Sequence, residues 1–125
     1  MDRKGRRLFA GCGNKMMAVI NADTGQVITT PPIGEGVDAN GFDPGTNLAF
    51  ASTGEGTLNV VREDSPNKFT TVGSVPTKKS ARTMGLDLKT HNIFLPAADF
   101  APPQPGERRG KMTSGSFVIL VVSQQ

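Results

Sequence analysis

The sequence predicts an all-β fold built from a repeated four-stranded unit, and three observations carry that prediction. An Asp opens a polar turn and a Phe follows seven residues later in an apolar run, at Asp2/Phe9, Asp43/Phe50 and Asp87/Phe94. The copies start 41 and then 44 residues apart. Between them no helical periodicity survives; short β-branched and aromatic runs alternate with clusters of Asp, Gly, Pro and Asn, which read as strands and turns. A period of about 40–45 residues filled with short strands is the signature of four-stranded propeller blades.

The elements follow in order if the strands of a blade are labelled a to d from the inside. Gly41 and Gly85 lie two residues before their Asp, in the matching runs 37–42 and 81–86, which are a strands. The three Phe residues mark b strands and are expected to occupy equivalent places between packed sheets. Residues 18–20 and 59–61 are c strands, each followed by a turn of Asp, Gly, Pro and Asn type at 21–25 and 63–68. Residues 26–30 and 69–75 are d strands. The third c strand is the apolar run 116–122, displaced by a segment at 100–113 too rich in Pro and charge to continue a strand. The expected division is therefore a first partial blade at 1–33, a second at 34–76, and a third partial blade at 77–125 with its Pro-rich insertion at 100–114. On this reading the first blade lacks its inner strand and the third its outer one.

An open array of this kind exposes apolar sheet faces and free strand edges at both ends. The chain is therefore expected to belong to a larger propeller or to complete a ring with further copies. A homo-oligomer is expected, with a dimer favoured, and its interface should include residues 8–11 and 117–122.

The residues resemble the YVTN-type (YncE-like) β-propeller repeat family along nearly the whole chain. The likeness is closest at residues 8–25, at 34–39 leading to 42–45, and at 81–87; the ending 115–122 behind a Pro-rich loop is similar to the carboxyl end of such propellers. The resemblance implies a carboxyl-terminal fragment of about two and a half blades, related to proteins of about seven blades that are often exported or periplasmic. It implies no catalytic set, because the shared motif is a folding repeat.

Composition fits a loop-dense β domain: 15 Gly and 9 Pro supply turns, while Trp and Tyr are absent. The missing Trp argues against propeller classes whose blades carry a Trp-Asp pair. No apolar stretch is long enough to span a membrane, so no membrane partner is expected. Met1 is followed by charged residues rather than an apolar signal region, so no signal peptide is expected within this chain. The single cysteine, Cys12, excludes an intramolecular disulfide. The formal net charge is +3, with basic clusters at Arg3, Lys4, Arg6 and Arg7, at Lys78, Lys79 and Arg82, and at Arg108, Arg109 and Lys111. These would favour polyanions through counterion release, yet the stacking aromatics of a single-strand binder are not interleaved with them. Solvated turns account for the clusters more simply, and weak polyanion or nucleic-acid binding stays open.

Ligand sites on propellers lie at a channel mouth where the d-to-a and b-to-c loops converge. Mapped onto that end, the loops select Asn14, Glu35, Asp38, Glu55, Lys79, Arg82 and Asp99, with Lys15 beside them. Glu35 and Asp38 could hold a hard cation or serve as a base, but calcium takes six or more oxygens and no sequence cluster offers them. No cofactor is expected, calcium being the candidate if one is bound. Arg82 is expected to pair with Asp38 across neighbouring sheets. His91, the only histidine, falls in an a-to-b turn at the opposite end, away from those groups. Cys12 reads as a packing residue, and Asp43 and Asp87 as turn-closing groups. No nucleophile elbow, zinc-binding helix pair or phosphate loop occurs.

Two classes of function remain. A non-catalytic binding or scaffolding propeller, taking a small-molecule ligand at the mouth, is favoured by the lack of a catalytic set. A metal-dependent, lactonase-like hydrolase is the alternative, resting on fold analogy and the carboxylates Glu35, Asp38, Glu55 and Asp99.

Overall fold

The structure, a computed structural model, describes residues 1–124. These form ten strands and no helix. The strands are β1 (Arg7–Cys12), β2 (Met16–Asn21), β3 (Val27–Thr29), β4 (Val37–Asp43), β5 (Leu48–Thr53), β6 (Thr57–Ser65), β7 (Lys68–Pro76), β8 (Gly85–Asp87), β9 (Asn92–Ala97) and β10 (Val118–Val122). They assemble into three antiparallel sheets in chain order: β1-β2-β3, then β4-β5-β6-β7, then β8-β9-β10. Within each sheet the strands pair with their sequence neighbours, so short turns join them everywhere except between β9 and β10.

The three sheets repeat one register. Phe9 faces Val19, Phe50 faces Val60 and Phe94 faces Val121 across neighbouring strands of their sheets. Leu8/Ile20, Ala49/Val61 and Ile93/Val122 are the corresponding pairs on the opposite faces. Because side chains alternate along a strand, these two sets must point to opposite sides of each sheet.

Packing follows from that alternation. On one side of the central sheet Phe42, Ala49, Ala51 and Val61 meet Met17 and Phe9 of the first sheet. Phe9 stacks on Phe42 with ring centroids 5.0 Å apart, and Phe69 of β7 meets the Phe9 ring edge-on at 6.0 Å. On the other side Phe50, Leu58 and Val60 meet Ile93, Leu95 and Ala97 of the third sheet. Gly41 makes this second approach close: a Cβ there would lie 2.9 Å from the Met84 methyl and 3.4 Å from Leu86. Small Ala residues on one face and bulky Phe and Leu on the other let adjacent sheets interdigitate.

Phe94 departs from expectation. Phe50 is 6% exposed and Phe94 is 37% exposed, although both sit at the same place in their sheets. The reason is positional. Phe9 faces the central sheet and Phe50 faces the third, but among the described residues nothing covers the face on which Phe94 lies. Ile119 and Val121, on that same face, are 50% and 57% exposed.

The Pro-rich segment at 100–113 forms no strand; one bridge, Phe100 to Met112, closes it, and the Arg109 guanidinium sits 3.8 Å from the centre of the Phe100 ring.

Candidate functional site

At one end of the three sheets the loops form a continuous polar rim. The β1–β2 turn, the segment entering β4, the β5–β6 turn and the segment entering β8 all lie there, held by backbone bonds. The Ile33 amide donates to the Lys15 carbonyl at 2.9 Å, Gly54 to Gly36 at 2.9 Å, and Ser80 to Gly54 at 3.3 Å. Gly56 adopts φ of 102°, and a Cβ there would come within 3.0 Å of the Lys79 backbone nitrogen. This turn therefore requires glycine on both conformational and steric grounds.

The charged side chains on the rim are paired across these loops. Lys15 Nζ lies 3.0 Å from Glu35, Arg82 Nη2 3.0 Å from Asp38, and Lys78 Nζ 3.0 Å from Asp99. Thr83 also donates to Asp38 at 3.1 Å. The Arg82 and Thr83 hydrogen bonds hold the Asp38 carboxyl below the ordinary range. The Glu35 carboxylate raises Lys15 above its usual value, with Glu55 adding a smaller contribution. Glu55 accepts a bond from the Thr57 hydroxyl at 3.2 Å. The loops thus bring Glu35, Asp38, Glu55 and Arg82 onto one rim, while Asp99 forms a separate pair with Lys78, a residue sequence reasoning did not select. Asn14 and Lys79 are exposed on the same loops. Among the described residues no group of three or more His, Cys, Asp or Glu side chains is arranged to hold a metal ion.

A second polar constellation, at the opposite end, went unrecognised in the sequence. His91 Nδ1 lies 2.6 Å from Asp43 Oδ2. Asp43 closes its turn as expected, accepting bonds from the Gly45 amide and the Thr46 hydroxyl, each at 2.9 Å. Burial pushes its carboxyl up, but Gly45, Thr46 and His91 together outweigh that and hold it below the ordinary value. His91 therefore has a converging group after all, supplied by the neighbouring sheet. The pair helps to line a cleft of about 190 Å³ whose apolar lining includes Leu48, Phe50, Val60, Val72 and Val122. A carboxylate-held imidazole can accept or donate a proton through its other nitrogen. The Thr46 hydroxyl, also on this cleft, donates to Asp43 rather than to His91. The repeat held the missing signal: Arg6, Asn47 and His91 each lie four residues after the recurrent Asp, and all three have positive φ, of 59°, 57° and 60°.

A third group is buried between the first two sheets. Glu63 is 8% exposed, and burial followed by the nearby Asp2 carboxylate pushes its pKa up to about 7, against the opposing pull of Arg7. Arg7 itself donates to the Pro66 carbonyl at 2.5 Å and to Asn67 at 3.0 Å. Several members of the basic clusters are thereby occupied, since Arg6 pairs with Asp23 at 2.7 Å and Arg109 covers Phe100.

Sheet stacking, repeat register and rim together define an all-β protein of three antiparallel sheets. Compared with known proteins, the chain matches no family model and no curated sequence.

Proposed function

We propose that the chain is a run of β-propeller blades serving as a non-catalytic binding module, with small-molecule contacts on the polar rim. The carrying observation is the convergence there of loops from three successive sheets. Their carboxylates Glu35, Asp38 and Asp99 are each neutralised by a cation about 3.0 Å away, yet the pairs stay open to solvent. Paired, exposed charges offer both signs to a polar ligand and exchange partners at little cost, since such pairs contribute only about 0–1 kcal/mol. Glycine turns leave backbone groups accessible beside them.

Thermal-shift screening of the purified chain against small carboxylates, phosphates and amines tests this. The expected hit raises Tm in the parent protein and in His91→Ala, but not in Arg82→Ala. Metal analysis after exhaustive dialysis supplies the opposing arm. Stoichiometric calcium or zinc, with melting lowered by a chelator, would replace the binding reading with the hydrolase.

A further inference from the structure

The two apolar faces that the stack leaves uncovered are complementary to each other. The outer face of the third sheet carries Phe94, Ile119 and Val121, and each sits where the repeat elsewhere places a residue that packs onto the next sheet. The outer face of the first sheet carries Leu8, Ala10, Ala18 and Ile20, which stand in the register positions of Ala49, Ala51, Asn59 and Val61. In the observed packing of the first sheet on the central one, the Phe9 face seats on the Ala49–Ala51–Val61 face. The three-sheet stack therefore presents one outer face of the inserting type and one of the receiving type, and both are apolar.

Charge points to the same match. Asp43 of the central sheet bonds to His91, the residue four places after the recurrent Asp of the following sheet. Asp87 is the third sheet's counterpart of Asp43 and, among the described residues, bonds only within its own turn, to the Lys89 amide at 3.0 Å and the Thr90 hydroxyl at 2.7 Å. Those bonds, Thr90 first, hold it below the ordinary value and so in its anionic form. The residue corresponding to His91 on a first sheet is Arg6. Stacking a first sheet on the third by the operation that relates the central and third sheets would bring a guanidinium toward the Asp87 carboxylate, whereas at the first junction the Asp2 carboxylate, among the described residues, bonds only to the Lys4 and Gly5 amides of its own turn. Arg6 is half exposed, in an exposed pair with Asp23, and so can turn toward a new carboxylate.

We propose that the outer face of the third sheet docks the outer face of the first sheet of a second copy, head to tail, with Asp87 opposite Arg6 of that copy. This rests on the sheet packing and not on the rim as a ligand site. A heterologous contact of this kind closes into a ring or continues as a filament. A ring of two copies is the simplest closed form.

Sedimentation velocity across micromolar to submillimolar concentrations tests it, with far-UV circular dichroism confirming that each variant is folded. The parent chain should associate. Phe94→Asp, on one face, and Leu8→Asp, on the other, should each weaken association by about 30-fold or more, as for a central contact. An equimolar mixture of the two variants should recover a one-to-one dimer, because each retains the face its partner needs. Asp87→Arg should weaken association, and Arg6→Asp added to it should restore part of the loss. A parent chain that stays monomeric throughout overturns the proposal. So does association that responds to Phe94→Asp but not to Leu8→Asp, which would mean that two third sheets meet instead. If either variant misfolds, Val121→Lys and Ile20→Lys replace them in the same mixing experiment.

Discussion

The central and third sheets use nearly the same side-chain plan in different surroundings. Among the described residues Phe50 has a sheet in front of it and Phe94 has none. Between the first and central sheets, Phe69 from the fourth strand packs edge-on against Phe9. Among the described residues the third sheet has three strands, and the apolar cleft that His91 helps to line is found where it meets the central sheet. Burial here is thus a property of the neighbour and not of the residue. A repeat can specify where a side chain points, but only the next unit determines whether it contributes to stability.

The sharpest way to break that comparison is to shorten both rings. Phe50→Ala should cost roughly 3–5 kcal/mol in denaturant unfolding, as for a buried aromatic whose cavity cannot collapse. Phe94→Ala, measured in dilute solution, should cost under about 1 kcal/mol, within reach of ordinary surface substitutions. Equal losses would mean that Phe94 is covered.

The junction between the first and central sheets makes a pH prediction of intermediate size. Glu63 has a folded pKa of about 7 against an ordinary value of 4.5. The folded state therefore holds this proton more tightly than the unfolded chain. Its stabilising effect is complete below the unfolded pKa and is lost as pH rises toward the folded one. Stability should fall by roughly 3 kcal/mol at most between acid and neutral pH on this account. Glu63→Gln should flatten that part of the profile. An unchanged profile in the variant would assign the titration to another group.

The smallest expected effect separates the second junction from the first. Asp43→Asn keeps the side chain's size and an acceptor oxygen but removes the charge held by Gly45, Thr46 and His91. It should destabilise by about 1–3 kcal/mol at neutral pH, the range for a buried hydrogen-bonded charge. Asp87→Asn, its exposed counterpart, should cost less than half as much. Paired thermal melts on the two variants decide the matter.

Much of the fold was legible because strands and turns are local. The recurrent Asp, the Gly two residues before it and the Phe seven after it mark a turn and the strands beside it, and the structure places the Phe at the same place in each sheet. Of the run 116–122 expected as a strand, residues 118–122 form one, and the apolar residues on both of its faces made it visible despite the insertion. On the rim, the Arg82–Asp38 bond could be foreseen, since the two residues occupy matching offsets in consecutive units. Lys78–Asp99 could not, because it depends on how the loop after β9 turns. His91–Asp43 was missed for a related reason. Viewed along the chain, His91 is an isolated turn residue, and its partner lies on another sheet 48 residues away. Arg6, Asn47 and His91 share a position in the repeat and a positive φ, but among the described residues only His91 is bonded to the recurrent Asp of the preceding sheet. The exposure of Phe94 was also beyond local pattern, since it depends on what packs against the sheet face and not on the strand itself.

The long connection between β9 and β10 has a kinetic consequence. Within the other sheets, hairpins close over a few residues, so their strands can zip up as soon as they exist. The last hairpin must first bring together Ala97 and Val118, the paired ends of two strands separated by the Pro-rich segment. Closing a loop of that length carries an extra entropic cost that grows with the logarithm of its size. The Phe100–Met112 bridge and the Arg109–Phe100 contact shorten the effective loop by tying its base. Formation of the third sheet therefore waits on the ordering of a surface segment, and β10 is the strand whose amides should exchange with solvent soonest when the molecule breathes.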